Sequence, residues 1–191
     1  MMRKAFLPLL LIAALLLSGC GQSQNETRFL SFAEALRARE DLSLRAAVRA
    51  EYDDRTLSFT LSYRDEPGGG CLVEVIEPEI IHGVKARMNG AGTKLLYDGV
   101  SLDTGDDGGT GLSPMGALPL FVRALRDGAL DSVWKEEGSC AVRLVPEDGV
   151  DVTVLFDEDM IPSCAEIARD GKTVLFLEIT EFGYLTTDEG E

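Results

Sequence analysis

Histidine is almost absent from this 191-residue chain, where His82 stands alone. Chemistry that needs two imidazoles, including most zinc sites and histidine relays, is thereby excluded. Bases are scarce as well. Eighteen Lys and Arg face 33 Asp and Glu, for a net charge of −15. A duplex-binding surface must neutralise phosphates, so nucleic acid is excluded as a partner. Neither glycine-rich stretch runs into the Gly-Lys-Ser/Thr of a phosphate cradle. Ser139 and Ser163 have no nucleophile elbow around them. Asp103, Asp106 and Asp107 crowd one glycine-rich loop but lack the twelve-residue calcium-loop pattern, so the loop reads as solvated rather than as a cation site. His82 reads as a half-buried surface residue on a strand rather than as a base. No metal, no cofactor and no enzyme activity are expected. What remains is an ordinary globular composition, 45% hydrophobic and 27% charged, at a length that suits one domain.

The most specific signal lies at the start. Arg3 and Lys4 precede an apolar run from Ala5 to Leu17. That run is too short for a mature membrane span and has the layout of a signal peptide. It closes on Leu17-Ser18-Gly19-Cys20, which resembles the lipobox of bacterial lipoproteins. The resemblance implies a signal peptide over 1–19, lipidation of Cys20 and an extracytoplasmic domain anchored to the cell membrane. Residues 20–28 are then the lipidated Cys and a polar tether, with Gly21 to Thr27 as the polar stretch. Two or three acyl chains hold far more firmly than one. An acidic domain beside anionic lipid should stand off on its tether rather than lie flat.

The body, 29–185, opens on Ser31-Phe32-Ala33-Glu34, the pattern of a capping box, which predicts an amphipathic helix over 32–40. Strict alternation follows. Leu44, Ala46, Val48, Ala50 and Tyr52 share one face, and Thr56 to Tyr63 alternates without a fault. Further strands are expected at 71–77, 80–88, 93–98 and 99–102. A second helix carries Leu118, Phe121, Val122 and Leu125 on one stripe. It starts either at Ser113-Pro114 or, because Pro119 sits badly inside a helix, near Leu118. Gly128 ends it. Strands at 132–135, 140–145, 151–156 and 164–169 come next. Asp170-Gly171, a strong hairpin signal, leads into a last strand at 173–182. Consecutive strands argue an antiparallel meander. Cys140 and Cys164 fall two strands apart, about 9.6 Å at roughly 4.8 Å per step, too far to bridge.

Several pieces recur together: an N-terminal helix before the pair 44–63, the corner Val75-Ile76-Glu77-Pro78, the segment Leu95-Leu96-Tyr97-Asp98-Gly99, the Pro-bearing Leu118-Pro119-Leu120-Phe121, and the final strand pair turning at Asp170-Gly171. This layout resembles the LolA and LolB superfamily of lipoprotein carriers, whose half-barrel also occurs in envelope-stress sensors and spore-germination lipoproteins. The resemblance implies an α+β fold: a curved antiparallel half-barrel of about ten strands with helices packed on its apolar concave side. Two functions follow from it. One is a binding module that holds an acyl chain or a lipidated client in the concave cleft. The other is a non-catalytic interaction platform that takes a protein partner or forms a homodimer. Leu57, Phe59, Leu61 and Tyr63 make the cleanest apolar face, and Leu118, Phe121, Val122 and Leu125 are read as its lid. With aromatics at only 7% and short helices, cover for that face is expected to be thin. In Val174-Leu175-Phe176-Leu177 both faces are apolar. That predicts either a central strand covered by a helix outside or one face lining a groove.

Overall fold

A computed structural model describes residues 24–52, 54–105 and 112–185. The expected Cys20 anchor, the leader and residues 20–23 of the expected tether lie outside these residues. So does the acidic loop beyond 105. Helix α1 spans Gln24–Arg37. Strands β1 (Leu42–Tyr52), β2 (Arg55–Glu66) and β3 (Gly70–Glu77) follow, then a 3₁₀ turn at Glu79–Ile81 and strands β4 (Lys85–Asn89), β5 (Gly92–Tyr97) and β6 (Val100–Gly105). After helix α2 (Pro114–Asp127) come β7 (Ala129–Glu136), β8 (Ser139–Glu147), β9 (Val150–Phe156), β10 (Pro162–Arg169) and β11 (Lys172–Tyr184).

All eleven strands form one antiparallel sheet in the order β6-β5-β4-β3-β2-β1-β11-β10-β9-β8-β7. The sheet is two meanders joined where β1 pairs with β11, with Leu44 opposite Phe182 and Val48 opposite Leu177. It does not close: β6 and β7 are free edges. Register shifts at Arg45/Ala46, Thr60/Leu61 and Ile167/Ala168 bend the strands. The expected α+β half-barrel is therefore present.

Both helices pack on one face. In α1 the stripe Phe29, Ala33 and Leu36 is buried, and the Phe29 ring lies 5.9 Å from that of Phe156. That contact lies within the helix two residues before the Ser31 expected to cap it, and the described helix already covers 24–28 of the stretch expected to be tether. Burying Phe29 is worth more than a single cap, since an aromatic side chain gains about 1.5–3 kcal/mol on burial and a cap about 1. The helix also ends three residues before the expected Glu40.

In α2 the Ser113 hydroxyl accepts from the Gly116 N–H at 3.1 Å, and Pro114 occupies the first turn. The helix runs through Pro119, so the later start near Leu118 is not used. The cap and the buried stripe on the following turns outweigh the backbone bond that Pro119 forgoes. Gly128 ends α2 by close approach: a Cβ there would stand 2.6 Å from the Ala124 carbonyl oxygen. Ser113→Ala is expected to cost about 1 kcal/mol, read as a lower urea midpoint with unchanged slope.

The expected strand over 80–88 is cut to Lys85–Asn89. Pro78 has no N–H to give a ladder, and the chain detours through the 3₁₀ turn before the Val75 N–H donates to the Val84 carbonyl at 2.9 Å. His82 sits exposed on that detour, not on a strand, with Nδ1 2.7 Å from the Ile76 carbonyl oxygen. Asp170 (φ 50°) and Gly171 (φ 77°) form the expected tight hairpin turn. In β11, Leu175 and Leu177 are buried in the core, Val174 is half-buried against it, and Phe176 is half-buried on the outer face. β11 is the central strand of one expectation. At Phe176 a side chain gives cover, the Arg49 guanidinium lying 4.3 Å over the ring. Cys140 lies opposite Phe156 and Cys164 opposite Leu155, so β9 separates the two free thiols.

Candidate binding cleft

Strand β2 alternates so that Leu57, Phe59, Leu61 and Tyr63 point to the helix-bearing face, as expected. Leu61 (0% exposed) and Tyr63 (4%) are closed over by α2, whose Leu118, Phe121, Val122 and Leu125 are all buried in the same core. Leu57 and Phe59 lie half-buried further along the strand. The face is thus covered rather than thinly covered. The stripe read as a lid is the packed underside of α2, because its four side chains are buried in the core cluster against the sheet.

The opening lies one strand further out. A cleft of about 780 Å³ separates α2 from β2, β3 and β4. Its floor is apolar: Tyr63, Cys71, Met88, Leu120 and Val122. Of the eight residues expected to line a ligand site, Tyr63 and Val122 border this cleft. Burial and the nearby carboxylates of Asp65 and Glu66 push the Cys71 thiol up to about 11, and burial with the adjacent Asp65 raises the Tyr63 phenol as well. Both are neutral at physiological pH, so the floor offers no thiolate or phenolate nucleophile.

The cleft's inner end is built by charge. Asp65 continues the inward alternation of β2 and is 6% exposed. Its carboxylate accepts from the Leu42 N–H at 2.9 Å and the Tyr63 hydroxyl at 2.8 Å, and from Arg126 twice, at 3.0 and 2.6 Å. Burial would raise the Asp65 pKa, but the hydrogen bonds from Arg126, Tyr63 and Leu42 outweigh it and hold the group below the usual carboxylate range. Arg126, in the last turn of α2, also donates to the Leu36 and Arg39 carbonyls at 3.3 and 3.0 Å, the orphan end of α1. In return Arg37 of α1 donates to the Arg126 carbonyl and pairs with Asp127 at 3.1 Å. Each helix caps the C-terminus of the other, where a cation is favoured. On the outer rim Arg123 pairs with Glu147 at 2.6 Å.

Asp65 and Arg126 were not among the expected site residues. The alternation through Tyr63, carried two residues on, puts an acid on the inward face, and a buried acid requires a cation. That signal was present. Nothing in the sequence pairs Asp65 with Arg126, which are brought together only by the packing of α2.

No family model matches the chain, and no curated protein matches it. Solved structures do. A LolA superfamily protein, NE2245 from Nitrosomonas europaea, is 13% identical, with 83% of this chain and 93% of that one covered at a TM-score of 0.46. The course of the chain resembles that of the LolA superfamily. LprF from Mycobacterium bovis is 12% identical, covers 88% of this chain and 97% of its own, and has a TM-score of 0.45. Lipoprotein LppX of Mycobacterium tuberculosis is 12% identical over 81% and 93%, with a TM-score of 0.39. At these identities the LolA-like likeness is one of fold. No helix among the described residues is long and apolar enough to cross a membrane.

Proposed function

We infer that the chain is a lipid-anchored, extracytoplasmic binding protein without catalytic activity, and that it takes an acyl chain, free or on a lipidated client, in the cleft between α2 and β2–β4. The supporting observation is that cleft. Its volume of about 780 Å³ falls in the range of small-molecule sites, and its floor is apolar. The rim arginines Arg37, Arg123 and Arg126 are each paired with an acid, so binding relies on the apolar chain, at about 0.8 kcal/mol for each buried CH₂. The anchor rests on the leader and on Leu17-Ser18-Gly19-Cys20.

The interaction-platform reading draws on a different observation. Leu61, Leu118 and Phe121 are 0% exposed, so no acyl chain fits beneath α2 itself. The two readings separate in titration of a fluorescent C16 fatty acid into protein lacking residues 1–19 and carrying Cys20→Ser. One saturable site is expected, weakened at least tenfold by Met88→Glu. Absence of saturable binding, or equal binding by the variant, rejects the acyl reading in favour of the platform. For the anchor, Cys20→Ala is expected to abolish incorporation of a fatty-acid label and leave an uncleaved precursor. Undiminished labelling rejects it.

A further inference from the structure

The sheet treats its two edges differently. Edge strand β7 is blunted by a register shift between Leu130 and Ser132 and by exposed Asp131, Lys135 and Glu136. Those are devices that keep an edge from pairing with another chain. Edge strand β6 instead displays Val100 and Leu102, 68% and 60% exposed, beside Tyr97 at 53%. These are not scattered surface residues. Register carries Leu102 to Leu95, Leu95 to Ala86, Ala86 to Val73 and Val73 to Tyr63, so they continue the apolar face of the core past the reach of Tyr63's cover.

The backbone at this edge is also open. Asp98 (φ 49°) and Gly99 (φ 77°) make a two-residue turn between Tyr97 and Val100. In such a hairpin the pair flanking the turn exchanges hydrogen bonds and the next pair does not. That next pair is Leu96 and Ser101. The N–H and C=O of Ser101 therefore point away from β5, toward the side on which no strand pairs among the described residues. A shallow groove of about 290 Å³ runs beside the turn, between Gly83 and the β5–β6 hairpin.

We propose that β6 is a docking edge for an extended segment of another protein, which adds as a twelfth strand, places alternate apolar side chains over Val100 and Leu102, and is net basic. The open Ser101 backbone calls for an extended occupant, since only a strand supplies a matching row of donors and acceptors. Charge sets its sign. Asp98 is exposed at the turn beside Val100, and the chain carries −15 overall. That charge favours a basic segment and disfavours both a second copy of this acidic chain and an anionic lipid surface.

The test uses the full anchored chain in lipid nanodiscs and the synthetic peptide Lys-Val-Thr-Val-Thr-Val-Lys. Hydrogen-exchange mass spectrometry is expected to show at least tenfold slower exchange over 96–104 at saturating peptide. Ser101→Pro removes the outward N–H at a position where an edge strand tolerates proline, and is expected to weaken binding at least tenfold with an unchanged unfolding midpoint. Leu102→Lys, which leaves the backbone intact, is expected to do the same. Replacing both peptide lysines by glutamate is expected to cost at least tenfold. Unchanged exchange over 96–104, equal binding by Ser101→Pro, or equal binding of the glutamate peptide overturns the proposal. So does concentration-dependent self-association abolished by Ser101→Pro, which assigns the edge to a second copy. Ser101→Pro leaves fatty-acid binding untouched, so failure here is distinguishable from failure of the acyl cleft.

Discussion

Asp65→Ala is expected to destabilise the domain by about 3 kcal/mol, because it strands Arg126 against the ends of both helices without its partner. The carboxylate is 6% exposed and takes four hydrogen bonds. Removing it also orphans the Leu42 N–H where β1 begins. A pH dependence follows. The folded-state pKa of Asp65 lies below its ordinary value, so the charged form favours the fold. That contribution is fully present above the unfolded value of about 3.9 and is lost as pH falls through the lower folded value. Urea unfolding of the parent and of Asp65→Asn should therefore differ widely at pH 7, and the difference should shrink below about pH 4. A gap that stays constant from pH 7 to pH 3 assigns the loss to packing rather than to the ion pair.

Phe121→Ala is expected to cost about 3–5 kcal/mol, the range for emptying a large aromatic site in a core. Phe121 is 0% exposed and sits mid-helix among Leu118, Val122 and Leu125. The measurement discriminates between two pictures of α2. A helix that swings as a lid would lose little, since its underside would already be wet for part of the time. A helix packed as part of the core loses the full amount. Equilibrium unfolding gives the cost, and amide exchange in α2 shows whether the loss is local or global.

The sheet was readable in the sequence because its signal is local. Period-2 alternation in Thr56–Tyr63 and the Asp170-Gly171 turn specify strand, face and hairpin from neighbouring residues alone. Helix boundaries were less legible. Ser31 and Glu34 have the right spacing for a cap, yet Phe29 finds Phe156 more than a hundred residues away, and that contact keeps the chain helical before Ser31. Pro119 misled for the same reason: the gain that overrides it comes from strands distant in sequence. The cleft was half visible. Tyr63 and Val122 were found by their apolar pattern, while Cys71 and Met88 reach it only because β3 and β4 pair in register, Cys71 opposite Met88. Asp65 and Arg126 are sixty-one residues apart, and no local rule joins them.

The seam between β1 and β11 sets an order of events. Each meander is made of hairpins and can form from contacts close in sequence, so each has little loop entropy to overcome. The two halves become one sheet only when Lys172–Tyr184, the last strand made, slots in beside the first. The strand furthest along the described residues is thus the keystone at the middle of the sheet. A chain still being synthesised, or one truncated before 172, holds two half-sheets with β1 and β10 as raw edges and no single core. Arrival of β11 beside β1 acts as the trigger for cooperative folding.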